Sequence, residues 1–134
     1  MFTISIVENY TPILDYFLEQ CSHFTVVYPG TERIFESDNP LMFKKDCFLK
    51  LSNITISPCE IMTDSISISG VLTLDARGIF MSSLNQKGLW NYSLFRNGIA
   101  VFSVSDFDVG FLDIPFDELD RLLSSNIISP GDIL

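Results

Sequence analysis

A chain of 134 residues, 47% apolar and 19% charged, has the size of one globular domain, and its twelve Phe give a core ample bulk. A net charge of −9 with a pI near 4.3 argues against direct binding to nucleic acid or to an anionic membrane, both of which reward Lys and Arg. No apolar run approaches the roughly 18 residues of a membrane-spanning helix, and residues 1–134 are read as a single domain.

The opening Met1–Glu8 lacks a basic stretch, an apolar run and a small-residue cleavage site, so it does not read as a secretion signal. Phe2, Ile4 and Ile6 alternate with Thr3 and Ser5, the period of a strand. Thr11 and Pro12 then mark a helix start, and Ile13, Leu14, Phe17, Leu18 and Cys21 make its apolar face, predicting a helix over about Thr11 to Ser22. Phe24 to Tyr28 reads as a short strand, Glu32 to Glu36 as another before the Asp38-Asn39-Pro40 turn, and Phe48 to Ile56 as a third closed by Pro58.

Ser65 to Leu74 alternates small hydroxyl residues with Ile and Leu, with Gly70 marking a bulge or a close contact. Glycines recur at Gly78, Gly88 and Gly98, each ending a turn-forming group: Asp75-Ala76-Arg77-Gly78, Asn85-Gln86-Lys87-Gly88 and Arg96-Asn97-Gly98. The intervening Ile79 to Ser83, Leu89 to Phe95 and Ile99 to Val104 read as strands of an antiparallel meander. A last strand is expected over about Phe107 to Leu112. A helix follows Pro115 over about Phe116 to Ser124, with Phe116, Leu119, Leu122 and Leu123 as its buried stripe. The predicted fold is α+β: a curved antiparallel sheet of about seven strands with two helices packed on it.

Catalytic sets are missing from the pattern. His23 is the sole histidine, and it reads as a capping or half-buried residue, not as the partner of Cys21, because side chains two apart on a helix do not face each other. Three widely spaced cysteines fit reduced, buried thiols better than zinc ligands or a disulfide framework. Asp106, Asp108 and Asp117 fall at positions of a calcium loop, yet Phe111 stands where the sharp turn needs Gly. The Asn53-Ile54-Thr55 and Asn91-Tyr92-Ser93 sequons have no meaning without secretion. The chain is therefore expected to be non-enzymatic, to use no metal or other cofactor, and to reside in the cytoplasm.

The negative charge is concentrated late. From Asp106 to Leu134 there are seven acids and one base, a net of −6, against −3 for everything before. Aromatics interleave with these acids. Asp106, Phe107, Asp108, Phe111, Asp113, Asp117, Glu118 and Asp120 are the candidate partner-binding residues: an aromatic anchor ringed by carboxylates suits a steered interface with a basic protein. The same acids could simply blunt a sheet edge and stabilise a helix start.

In size, charge, hairpin-rich middle and the closing Leu112-Asp113-Ile114-Pro115-Phe116-Asp117-Glu118-Leu119 passage, the chain resembles the small acidic immunity proteins of bacterial contact-dependent growth inhibition and related polymorphic toxin systems. The resemblance implies a cytoplasmic partner of a toxin domain, typically a basic nuclease whose active site it covers. A phage inhibitor that mimics nucleic-acid charge, such as an anti-CRISPR or anti-restriction protein, has the same general character. A small-molecule binder with an apolar pocket in the curved sheet is the alternative from another class.

Overall fold

The computed structural model describes residues 1–6, 10–29, 40–59, 64–85 and 88–134. In chain order these form β1 (Phe2–Ser5), α1 (Tyr10–Gln20), β2 (His23–Pro29), α2 (Lys45–Leu49), β3 (Thr55–Pro58), β4 (Ser65–Val71), α3 (Leu74–Ser82), β5 (Asn91–Arg96), β6 (Ile99–Ser105), β7 (Val109–Leu112) and α4 (Phe116–Ser124). The strands make one open, wholly antiparallel sheet of seven in the order β1-β7-β6-β5-β2-β4-β3, so the fold is α+β as the pattern predicts.

The meander holds from β5 to β7 and fails before it. β2 lies between β4 and β5, pairing with both. The segment expected as turn plus strand, Asp75 to Ser83, is mainly the helix α3. The hydroxyl of Thr73 accepts a hydrogen bond from the N–H of Ala76 and caps the helix, and Ala76 and Phe80 on one face are buried. Gly78 sits mid-helix with open space around it, so it marks no turn. Phe48 to Ile56 is likewise not one strand. Lys45–Leu49 forms α2, which buries Phe48, and only Thr55–Pro58 joins the sheet. The strand expected at Glu32 to Glu36, with Asp38, Asn39, Gln86 and Lys87 of the two turns, lies outside the described residues.

Other local expectations are met. The Asn97-Gly98 turn has both residues at positive φ, 52° and 78°, as a two-residue hairpin loop requires. Gly70 is a close approach and not a bulge. A Cβ there would sit 3.2 Å from both Ile54 Cγ2 and Phe24 Cε1, and the β2–β4 register runs through it unbroken. The register shift falls instead between Leu94 and Phe95.

The core is a chain of rings. Phe17 stacks on Phe102 at 5.0 Å, Tyr92 meets both Phe102 and Phe80, and Phe80 meets Phe24 and Phe48. The strand residues in this chain lie on one face of the sheet, and the ring partners come from α1, α2 and α3.

Among the described residues no helix crosses the other face. Register places one row of side chains straight across it: Thr55 beside Ser69, Ser69 beside Thr25, Thr25 beside Ser93, Ser93 beside Ser103, and then Phe111 between Ser103 and Thr3. The hydroxyls of Thr25 and Ser69, and of Ser93 and Ser103, are 2.8 Å apart.

Candidate functional site

The acidic segment divides into two groups and one exception. The first group sits on the β6–β7 turn, Asp106 to Asp108, so β7 begins two residues later than the pattern predicts. Asp106 and Phe107 both have positive φ, 51° and 72°, which is strained for a Phe. The turn is held from outside itself. The N–H of Asp106 donates to Asn91 Oδ1 at 3.2 Å, the N–H of Phe107 donates to the Trp90 carbonyl at 3.0 Å, and the Trp90 indole N–H donates to Asp106 Oδ1 at 3.2 Å. The N–H of Ile6 reaches the Asp108 carbonyl at 3.0 Å. Asp106 and Asp108 are exposed, while Phe107 is half-buried.

The second group comprises Asp113, Asp117 and Asp120, all exposed. An extended path from Asp108 to Asp113 spans about 17 Å, so the two groups stand at opposite ends of β7 and are not one patch. Half-buried Phe111 lies between them on the open sheet face. Among the described residues, the one ion pair in this group is Asp117 with Arg121 at 3.7 Å, both side chains largely in water, which contributes little.

At the second group the most exposed aromatic of the segment appears. Phe116 is 69% exposed, which removes it from the buried stripe that Leu119 and Leu122 do form. It is the first residue of α4, so its side chain leans back over the preceding turn and away from the core. There it meets the Phe2 ring edge-on at 5.5 Å.

The exception is Glu118. It is 4% exposed and turned inward, so it cannot take part in the docking surface expected of it. Its Oε1 accepts from Arg96 Nη2 at 2.6 Å, and its Oε2 accepts from Arg96 Nη1 at 2.9 Å and from the Tyr16 hydroxyl at 2.6 Å. The two-pronged Arg96 bond holds the Glu118 carboxyl below the usual range, against the opposing effect of burial. Tyr16 is pushed up by burial and by the neighbouring carboxylate. Arg96, Glu118 and Tyr16 thereby tie β5, α4 and α1 together. Nearby Cys21 is pushed up to about 11 by burial, an inert thiol. Cys47 is exposed, against the expectation of three buried thiols, and Cys59 is intermediate.

Sequence reasoning missed the supports: Trp90 and Asn91 under the turn, Arg96 and Tyr16 under α4. For Arg96 a signal existed. The β5 alternation puts Leu94 and Arg96 on the core side, and an arginine there demands a buried acid. His23 is exposed, with Nδ1 2.8 Å from the Ser22 hydroxyl. It lines a shallow cleft of about 280 Å³ on the open face together with Thr25, Ser69 and Phe95. Among the described residues no three His, Cys, Asp or Glu side chains stand close enough to hold a metal ion, and no helix is long and apolar enough to cross a membrane. Asn91 of the second sequon is buried, whereas Asn53 is exposed. Compared with protein families, curated proteins and solved structures, the chain finds no match in any of the three.

Proposed function

We propose that this is a non-enzymatic binding protein for a basic protein, and more specifically an immunity protein that covers the phosphate-binding surface of a toxin nuclease. The observation that carries the reading is the exposed Phe116 ring, braced by Phe2 and flanked by the exposed carboxylates of Asp113, Asp117 and Asp120. A largely exposed aromatic has little value to the fold, and a braced ring loses little freedom when a partner covers it. The exposed carboxylates around it, of which only Asp117 has an ion-pair partner among the described residues, would steer a cationic surface onto the ring and raise the association rate, while the ring would slow dissociation. Asp106 and Asp108, on a turn whose strain is met by outside bonds, form a second contact for a partner broad enough to reach along β7. Nuclease active surfaces are basic because they hold phosphates, which makes them a fitting complement.

The test is capture of the partner from source lysate with the wild type and three variants, washed at low and then high salt. A basic partner released by salt is expected. Phe116→Ala should speed its dissociation about 10- to 100-fold, the range of an anchor residue. Asp117→Lys with Asp120→Lys should slow association, and Asp106→Lys with Asp108→Lys should do so to the extent that the partner reaches the turn. A partner held equally by all four proteins would remove the acidic segment from the interface. A captured partner that is itself a nucleic-acid-processing enzyme of phage defence would move the reading to a charge-mimicking inhibitor.

A further inference from the structure

We infer that the outer edge of β1 is a strand-accepting site, occupied in this structure by the chain's own residues 129–134, and that an extended segment of the basic partner takes their place. This rests on the reading of the chain as a binder of a basic protein, and it adds how that partner engages. β1 ends the sheet, and the pairing with β7 decides which of its groups face outward. The N–H of Ile6 donates to the Asp108 carbonyl, so the alternation of an antiparallel pair turns the N–H and C=O of Thr3 and Ser5 away from β7. The tail meets them there. Ile133 lies opposite Ile4 as an antiparallel bridge, and the N–H of Leu134 donates to the Thr3 carbonyl at 2.9 Å.

The hold is slight beside the ladder it extends. Among the described residues one bridged pair joins the tail to β1, against four registered pairs between β1 and β7, and Leu134 is 72% exposed. The tail is also a unit in itself. The N–H of Ser129 donates to Asp132 Oδ2 at 3.0 Å, and the N–H of Asp132 donates to the Ser129 carbonyl at 2.9 Å, so the turn can leave β1 without coming apart. Buried Ile128, with the bond from the Ile127 N–H to the Leu122 carbonyl, fixes the point from which it swings.

The edge specifies the strand that replaces it. Ile133 packs partly buried against the core, so its place calls for an apolar residue. Side chains two apart on a strand share a face, and Ile4 and Phe2 share the helix-bearing one. The residue two positions after the apolar one therefore lies opposite Phe2, whose ring touches Phe116. Asp113 and Asp117 are exposed beside that pair, so a Lys or Arg in this position lays its stem on the rings and its charge near the carboxylates. The partner segment is thus extended, apolar at one position and basic two residues later, with main-chain bonds to Thr3 and Ser5 supplying the rest.

The experiment titrates the full chain with a hexapeptide, TIVKTK blocked at both ends, and follows the backbone amides by NMR. Its isoleucine takes the place of Ile133 and its first lysine falls opposite Phe2, so the amides of Thr3 and Ser5 are expected to shift. Ile133→Asn, which loosens the tail, should tighten binding about 10-fold, because affinity rises with the fraction of time the edge is open. Thr3→Cys with Leu134→Cys, in a background carrying Cys47→Ser and Cys59→Ser, puts two thiols on a facing pair about 5.5 Å apart at Cα, within disulfide reach. Oxidised, this variant should lose the peptide; reduced, it should bind as the wild type does. In the wild type without peptide, the Leu134 amide should exchange with solvent at least about 100-fold faster than that of Ile6. Equal binding by the oxidised and reduced forms overturns the inference, as does no binding by any of the proteins or a Leu134 amide as protected as that of Ile6. Should Ile133→Asn misfold, the oxidised and reduced forms decide. None of these readouts uses the captured partner, so their failure removes the strand exchange and leaves the Phe116 contact to its own variants.

Discussion

Replacing Glu118 with Ala tests whether the buried ion pair holds α4 in place. The substitution leaves Arg96, whose side chain is 24% exposed, without the carboxylate that takes two of its N–H groups, and it orphans the Tyr16 hydroxyl. Breaking a fully buried pair costs about 3–5 kcal/mol, and water reaching the exposed quarter of Arg96 recovers part of that, so a loss of about 2–4 kcal/mol is expected. For a domain of this size that is a fall in Tm of roughly 8–16 °C. Chemical denaturation of the wild type, Glu118→Ala, Arg96→Met and the double variant gives both the cost and the coupling. The double variant, which removes both charges, should be more stable than the sum of the single losses implies. The pH dependence has a definite sign. The folded carboxyl titrates below its unfolded value, so its contribution is complete above the unfolded carboxylate pKa, about 4.3, and drains away as pH falls toward and through the lower folded value. The wild type should therefore lose more stability than Glu118→Ala below about pH 4. A cost under about 0.5 kcal/mol, with no difference in acid, would mean that the pair behaves as a screened surface contact.

The remaining predictions concern packing and the proposed Phe116 contact. Gly110→Ala would put a Cβ 2.8 Å from Ile4 Cγ1, where Ile4 is fully buried between β7 and the helices, and should cost about 1–3 kcal/mol by denaturation. Tyr92→Phe removes a buried hydroxyl that has no hydrogen-bond partner among the described residues, so the variant should be as stable as the wild type or up to about 1 kcal/mol more so; a clear loss would reveal a partner for that hydroxyl. Phe116→Ala should leave Tm within about 2 °C of the wild type, because the ring is 69% exposed, even though it weakens partner binding.

What could be read from the chain alone was whatever local periodicity or turn chemistry decides. β1, α1, β2 and α4 fall almost where their patterns place them, and the Asn97-Gly98 hairpin carries the residues that its geometry demands. The errors share one cause. In Asp75 to Ser83 a Gly and an Asp mimic a turn, yet the ring cluster needs Phe80 beneath Phe24 and Phe48, and the Thr73 cap starts a helix that delivers it. Lys45 to Leu49 is similar: five residues are too few for a clear helical period, and burial of Phe48 decides the matter. Such tertiary demands leave no local mark. Strand order is the same kind of fact, since nothing in β2 announces that it will separate β4 from β5.

The acids of α4 carry the larger lesson about the candidate site. Composition treats Asp117, Glu118 and Asp120 as one charge cluster, but a helix turns about 100° per residue, so adjacent acids cannot share a role. Glu118 goes inward to Arg96, and Asp117 and Asp120 stay in water beside Phe116. The inward acid is thus a condition for the outward ones, because it fixes the helix whose first residue is the proposed anchor. That corner is built on the helix-bearing side and on the β1 edge, where Phe2 braces it. Phe116→Ala should therefore lower partner affinity while leaving α4 in place, and Glu118→Ala should lower it by freeing the helix itself, a difference that binding measured beside circular dichroism would show.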